Sequence, residues 1–399
     1  MYIIQSFRLS LLMKKVTTKL SNVGRFCYTY SKDYQEAFSV TLRTMMIPIV
    51  FLISLSGCSP AREYSQPTPG LVSDQSPFHF ISTENVEHMS QLKQWKTYDV
   101  NTMTWSTDSS KFAIAGKENS ADSDFGVYAY DINHPQALWF SKTYVPFSLA
   151  YSPDDRLLAV PALGLDLLDA NTGESIKKIP YQKGCIGTQA IKYDSAGSRI
   201  FTLGTVPEYR TTTVYIWDAV VDDCLGVLPE EQGIAFGFEL SRDNRFLVMG
   251  LSDVGKELEQ QVHVWDIGER KLICSFKGAQ PIAFASDGGI IATGNVDKLG
   301  DIDLWDAKSC QFLDSLHHEE SAGRYSMDFS PDGELLAVGD SNAIQIWDVE
   351  NKKLLFTSDR LPNYVKILAF SPDGRFLLSE TDKTTVEDKA IVTLWGVGK

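Results

Sequence analysis

The chain has 399 residues, 43% of them hydrophobic, with 28 Gly and 16 Pro to mark turns, which agrees with one large domain. Its 37 Lys and Arg stand against 51 Asp and Glu, a net charge of −14. A surface this acidic repels nucleic acid and anionic headgroups, which excludes both as charge-driven partners.

The first element in chain order is Met45–Gly57, "MMIPIVFLISLSG", an apolar run of 13 residues. A membrane-spanning helix needs about 20 apolar residues, whereas a secretory h-region needs roughly 7–15. The run ends in "LSGC", Leu55 to Cys58, and resembles the bacterial lipoprotein signal box: a branched residue, two small residues and the Cys that is lipidated. Small residues let the peptidase approach, and a free thiol accepts diacylglycerol before cleavage. A buried strand followed by an idle Cys is the bland alternative, but Ser59–Pro77, rich in Ser, Pro and Gln, follows at once and reads as a flexible tether. Residues 1–44 are long for an n-region, so initiation is expected near Leu42–Met46, with Arg43 as the basic residue and the remainder as upstream sequence. Removing residues 1–57 takes away seven bases and two acids, leaving 30 against 49, a net of −19. Membrane attachment then falls to acyl chains on Cys58, more than one of which gives stable anchoring. Residues 58–88 are expected to hold the tether and a short helix over "STENVEHM", with Ser or Thr as N-cap and Glu in its first turn.

Residues 89–399 keep a beat. "FSPDG" stands at Phe329–Gly333 and again at Phe370–Gly374. Ser opens a turn, Pro fixes φ, Asp tolerates the third place and Gly closes it. Degenerate copies place the Ser slot at Ser106, Ser152, Asp194, Ser241, Ala285, Ser330 and Ser371, at intervals of 46, 42, 47, 44, 45 and 41. A short apolar run follows each copy, the pattern of a strand buried on both faces. In phase with the turns, "YIWD" ends at Asp218, "HVWD" at Asp266, "DLWD" at Asp306, "QIWD" at Asp348 and "TLWG" at Gly396, with weaker forms at Asp131 and Asp169.

A period of about 40–45 with Trp-Asp ending a strand is the mark of propeller blades, and from Met89 to Lys399 the chain resembles the WD-repeat β-propellers. The resemblance implies an all-β fold of seven four-stranded antiparallel blades and a protein-binding scaffold. It departs from the family in lacking the Gly-His pair before each innermost strand; only His317 and His318 lie near such a place. Trp217, Trp265, Trp305, Trp347 and Trp395 are expected in the core between blades.

The chain stops just after the third strand of the last blade, and an open apolar sheet edge is a liability. "QLKQWKTYDVNTMTWS" (Gln91–Ser106) parallels "ALWFSKTYVPFSLAYS" (Ala137–Ser152) and looks like an outer strand without its first three. Leu92–Tyr98 is therefore expected to pair with Val392–Trp395 and close the ring as a monomer. Four cysteines fall in the ring. Cys224, Cys274 and Cys310 fall in outer strands of different blades without a shared register, so free thiols are expected there and at Cys185.

No catalytic, metal or cofactor motif is complete. A nucleophile elbow is absent, and "HHEE" (His317–Glu320) on extended backbone points its residues to opposite sides. "DSDFG" (Asp122–Gly126) and "DKLGDID" (Asp297–Asp303) offer carboxylates but do not complete a calcium loop. Four positions before the Phe slot of each turn lie Asn101, Phe147, Gln189, Phe236, Gln280, Tyr325 and Lys366. These open the innermost strands and should ring one mouth of the channel. Phe147, Phe236 and Tyr325, with Arg324 and Lys366, suit a protein-binding site or simply plug the mouth. The expected function is that of a lipid-anchored scaffold on the extracytoplasmic side of a bacterial membrane, binding a protein partner without a cofactor. The alternatives are a propeller hydrolase or lactonase with acids in the channel, and an envelope-assembly lipoprotein.

Overall fold

A computed structural model describes residues 76–118, 124–144, 146–162, 164–180, 189–206, 210–220, 223–252, 260–317, 324–383 and 389–399. The expected signal run, Cys58 and most of the tether lie outside them.

Seven antiparallel sheets form a seven-bladed β-propeller. We name the strands of each blade a to d from the channel outward. Strands a are Asp99–Trp105, Ala150–Tyr151, Ala190–Tyr193, Ile234–Leu240, Ala279–Phe284, Arg324–Phe329 and Val365–Phe370 for blades 1 to 7. Strands b are buried along almost their whole length; Leu335–Asp340 and Phe376–Thr381 have no exposed residue. That burial on both faces follows from the architecture, in which a thin sheet is covered only by its neighbours. Seven apolar clusters accordingly lie at the seven seams. One joins Ile302 and Leu304 of blade 5 to Leu336, Val338 and Trp347 of blade 6, and another joins Leu378 and Val392 of blade 7 to Phe112 and Tyr130 of blade 1.

The repeated turn explains its own letters. At Ser106, Ser152, Ser241, Ser330 and Ser371 the hydroxyl donates to the Asp two residues on, at 2.5–2.7 Å, and accepts the N–H five residues on. In blade 3 the Asp194 carboxylate takes the hydroxyl's place and accepts Ser198 N and Arg199 N. The fourth residue of all seven turns is left-handed, φ 55–79°, and is Ser109, Asp155, Gly197, Asn244, Gly288, Gly333 or Gly374. Gly, Asn and Asp predominate there because a Cβ penalises that backbone conformation. The Asp that ends strand c has a parallel duty: Asp169, after Leu168, and the Asp266, Asp306 and Asp348 of Trp-Asp accept N–H groups of the turn from strand c to strand d.

The ring closes as expected. Ser90–Thr97 pairs antiparallel with Ala390–Gly398 as the outer strand of blade 7, Trp95 opposite Val392 and Gln91 opposite Trp395. The latch begins earlier than expected. Phe78 pairs with Gly398 and His79 with Val397, Phe78 meets the Phe376 ring edge-on at 5.1 Å, and Ile81, Val86 and Met89 are buried at the seam of blades 6 and 7. The expected helix is a single 3-10 turn, Val86–His88. Its N-cap is Asn85 and not Ser or Thr, and Asn85 spends its side chain on Ser82 N and Phe80 O.

The cysteines depart from expectation. Cys274 and Cys310 form a disulfide with Cα atoms 6.2 Å apart, and Cys224 is disulfide-bonded as well. Cys310 is not in the outer strand, which starts at Phe312. It occupies the left-handed position of the preceding turn, φ 55°, and this turn of blade 5 lies against the outer strand of blade 4. Register along outer strands was the wrong measure, because a turn residue belongs to no ladder.

The Trp residues are core as expected. Trp217, Trp265, Trp347 and Trp395 are buried, and Trp305 stacks on Phe276 at 4.1 Å between ring centroids. Without a His, the indole N–H finds other acceptors. Trp217, Trp305 and Trp395 donate to Thr202, Thr293 and Ser379 on strand b, and Trp347 to Gln345. Blade 4 has Met249 at the equivalent strand-b position, and the Trp265 Nε1 lacks an acceptor among the described residues.

Candidate functional site

Each strand a has one ladder partner, so its inner edge presents unpaired N–H and C=O groups to the channel. Side chains of adjacent blades answer many of them. Asn101 Nδ2 donates to Pro146 O, Ser148 Oγ accepts Ile191 N, Ser326 Oγ donates to Val365 O and Trp105 Nε1 donates to Ala369 O. Phe370 N donates to Asp328 Oδ2 at 2.7 Å, and Lys366 Nζ to Val100 O at 2.6 Å.

Two residues before each turn, the seven strands set one level of the channel with Thr104, Ala150, Lys192, Glu239, Ala283, Asp328 and Ala369. Four are small and three are charged, and the charges gather from blades 3, 4 and 6. Lys192 Nζ lies 3.0 and 2.8 Å from the two Glu239 oxygens. Their side chains keep 39% and 35% of their surface open and line the cavity at the turn end of the channel. Burial works to lower the Lys192 pKa, yet Glu239 raises it above the ordinary value. Burial pushes the Asp328 carboxyl up to about 7, with the negative charge of Glu239 adding to the effect.

The channel opens at both ends. At the turn end a cavity of about 650 Å³ is bounded by one turn residue from every blade, Thr107, Pro153, Ser195, Arg242, Ser286, Pro331 and Pro372. At the other end a recess of about 360 Å³ is lined by Phe236, Gln280, Pro281, Ser326 and Lys366, and it shares Glu239 with the first cavity.

Of the residues expected at that mouth, the recess brings together Phe236, Gln280 and Lys366. Phe236 rests over Gly250, where a Cβ would come within 2.3 Å of its ring. Lys366 is committed to Val100 O across the closing seam. Phe147 is not in the recess; it stands 64% exposed beside the blade 1–2 junction, near Tyr144 at 72%. Arg324 and Tyr325 open strand a of blade 6, and their side chains lie outside the described residues. Tyr144 also borders a groove of about 460 Å³ with Leu165, Asp166, Lys178 and Pro180.

The sequence reading missed the buried charges. Glu380, in strand b of blade 7, is fully buried, and neither carboxylate oxygen has a hydrogen-bond partner among the described residues. Burial, opposed by Lys366 and aided by Asp382 and Asp99, pushes it up to about 8. Its signal was an acid inside an apolar strand run, "FLLSET". The carboxylates offered for calcium are partly taken: Asp301 binds Lys298 and His317, and Asp303 accepts from Asn295 and Ser315. Among the described residues there is no group of three His, Cys, Asp or Glu placed to hold a metal.

Fold and channel define a seven-bladed propeller with a cavity at each end of its channel. The model of the WD domain, G-beta repeat, matches residues 310–348. Similar curated proteins include periodic tryptophan protein 2 of Arabidopsis thaliana, 26% identical over 42% of this chain and 18% of its own length. Eukaryotic translation initiation factor 3 subunit I of Phaeosphaeria nodorum is 36% identical over 19% of this chain and 23% of its own. Apoptotic protease-activating factor 1 of Homo sapiens is 27% identical over 42% and 14%. The chain thus spans less than a quarter of each of these relatives. The match and the relatives make the chain similar to WD-repeat proteins, in keeping with its seven-bladed fold.

Proposed function

We propose that the protein is an exported scaffold, anchored through acyl chains on Cys58 to the extracytoplasmic side of a bacterial membrane, that binds a protein partner beside the junction of blades 1 and 2, outside the channel recess. The observation that carries partner binding is the pair of aromatic side chains Tyr144 and Phe147, 72% and 64% exposed on a rigid ring. Large apolar side chains held open on a fixed frame suit a contact site, because little ordering entropy is lost on binding. Export is supported by the Cys274–Cys310 bridge, since disulfides persist in oxidising compartments. Anchoring rests on the "LSGC" box alone.

An enzyme is the second reading, favoured by Glu239 and Asp328 converging in the channel. Lys192 already pairs with Glu239, which leaves a poorer base than an open carboxylate. The test is a photocrosslinker placed at 147 in intact cells, with a control at Thr107 on the turn end. A partner captured at 147 and not at 107 supports the scaffold; equal capture at both sites, or none, sinks it. Intact-protein mass spectrometry reads the lipid on Cys58 directly, and an unmodified Cys58 in the mature chain would end the anchor.

A further inference from the structure

We infer that the seam between blades 4 and 5 is a redox-controlled opening in the ring, held shut by the Cys274–Cys310 bridge and released when a dithiol reduces it. The first ground is how thinly this seam is otherwise filled. Its buried cluster is Val248, Val262 and Val264 of blade 4 with Ile291 and Ala307 of blade 5. Among the described residues it buries no aromatic ring, whereas each of the other six clusters buries at least one. Here Phe276, Phe284 and Trp305 stay partly exposed. A ring of repeats is held by the sum of such interfaces, so the seam that buries least apolar surface opens first.

The second ground is a pattern at the rim, independent of the first. Four residues after the Asp that ends strand c stand Gly173, Arg270, Cys310 and Lys352, in blades 2, 4, 5 and 6, all left-handed. Each meets the outer strand of the preceding blade. A Cβ on Gly173 would fall 2.4 Å from the Trp139 ring, Arg270 donates to Leu225 O at 3.1 Å, and Lys352 lies 2.8 Å from Asp314. Of the four, Cys310 alone makes its clasp covalent, to Cys274.

Packing and ionic clasps answer to no reductant, but a disulfide does. Both cysteines are partly exposed, so a small dithiol reaches them. Its thiolate attacks one Sγ and expels the other as a thiolate, and its second thiol then breaks the mixed disulfide. Two electrons and two protons pass to the protein, leaving two cysteine thiols and a disulfide in the reductant. The inner end of the same seam is what the opening changes. Phe236 of blade 4 and Ile282 of blade 5 lie together over Gly250, where a Cβ would come within 2.3 and 2.4 Å of them. Both line the recess of about 360 Å³, so parting the blades separates two of its walls. The switch lies three blades round the ring from Phe147 and stands whether or not a partner binds there.

Hydrogen exchange on the full chain, before and after dithiothreitol, tests the switch. On reduction, amides of Lys271–Lys277 and Ile302–Asp306 should exchange about tenfold or more faster, as for a lost disulfide. Those of Ser90–Thr97 and Ala390–Gly398 at the closing seam should stay slow. Cys274→Ser with Cys310→Ser should reproduce the pattern without reductant, and oxidised glutathione should reverse it in the reduced parent. In Cys224→Ser the seam should still respond to dithiothreitol, which separates this bridge from the one that Cys224 makes. If the double variant does not fold, the reduced parent, made from folded protein, gives the same readout. Exchange that rises by one factor in every blade would mean a staple acting on the unfolded chain alone, and would overturn the switch. So would unchanged exchange, a bridge that resists dithiothreitol in the folded protein, or release first at the closing seam.

Discussion

The two ends of the ring obey different rules. At the turn end, seven loops repeat one hydrogen-bonded design, and the N-terminal latch seats there, Ile81 N on Gly374 O and Arg375 over the Phe80 ring at 4.0 Å. At the opposite end no such repeat exists: Asn101, Phe147, Gln189, Phe236, Gln280 and Lys366 share a place in the repeat and little chemistry, and Phe147 lies outside the recess that holds Phe236, Gln280 and Lys366. Regularity marks what every blade needs in order to fold. Irregularity on a rigid frame marks what folding leaves free, which is where binding variation accumulates.

Breaking the regular end should therefore cost most. Deleting residues 78–97 removes both paired segments from Ala390–Gly398 and uncovers the seams on each side of blade 7. Loss of a cooperative melt is expected in circular dichroism. A truncated chain that melts at the parent temperature would refute closure by this segment.

Glu380 offers the next largest effect, of opposite sign. Its folded pKa of about 8 lies above the ordinary 4.5, so the folded state binds more protons between those values. Parent stability should fall as pH rises from about 4.5 to about 8. Asp328, raised from 3.8 to about 7, adds a fall over its own window. Glu380→Gln should remove the first component, so that its advantage over the parent grows from pH 4.5 to pH 8, by up to a few kcal/mol. Urea melts at the two pH values measure it; a constant difference would show that Glu380 does not titrate in this window.

A third change tests the turn itself. Gly374, φ 74°, is the left-handed fourth residue and also receives the latch through its carbonyl. Gly374→Val should cost about 1–3 kcal/mol because a β-branched residue is strained there. Gly374→Asn should be milder, since Asn244 already holds the same place in blade 4. If Val and Asn are equally tolerated, left-handed backbone is not what the position selects.

Much of the ring was legible because its signals are local. Ser, Pro, Asp and Gly encode a turn within five residues, and Trp-Asp encodes the end of strand c together with the turn beyond it. Even the closing strand was readable, since it carries the outer-strand pattern displaced to the start of the ring. What escaped depends on distance across the ring. Lys192, Glu239 and Asp328 lie 47 or more residues apart in sequence and meet only because blades 3, 4 and 6 face one channel. Cys274 and Cys310 meet because a turn of one blade lies on the edge of another. Phe78–His79 escaped for a different reason: two residues amid Ser, Pro and Gln are too short to show any period.

The smallest stability effect belongs to the irregular end, and it sharpens the contrast most. Phe147 is 64% exposed, so truncation removes little buried surface. Phe147→Ala should shift unfolding by no more than about 0.5 kcal/mol, the usual range for a surface change. Partner capture, if this aromatic anchors the contact, should fall about tenfold or more, because exposed aromatics that become buried dominate interface energies. Capture is best scored with the crosslinker moved to 144, since 147 is then occupied by Ala. A variant that melts like the parent and still captures its partner fully would remove Phe147 from the site. A variant that instead unfolds would place it in the frame, and the division between a folding end and a binding end would then fail at its most exposed residue.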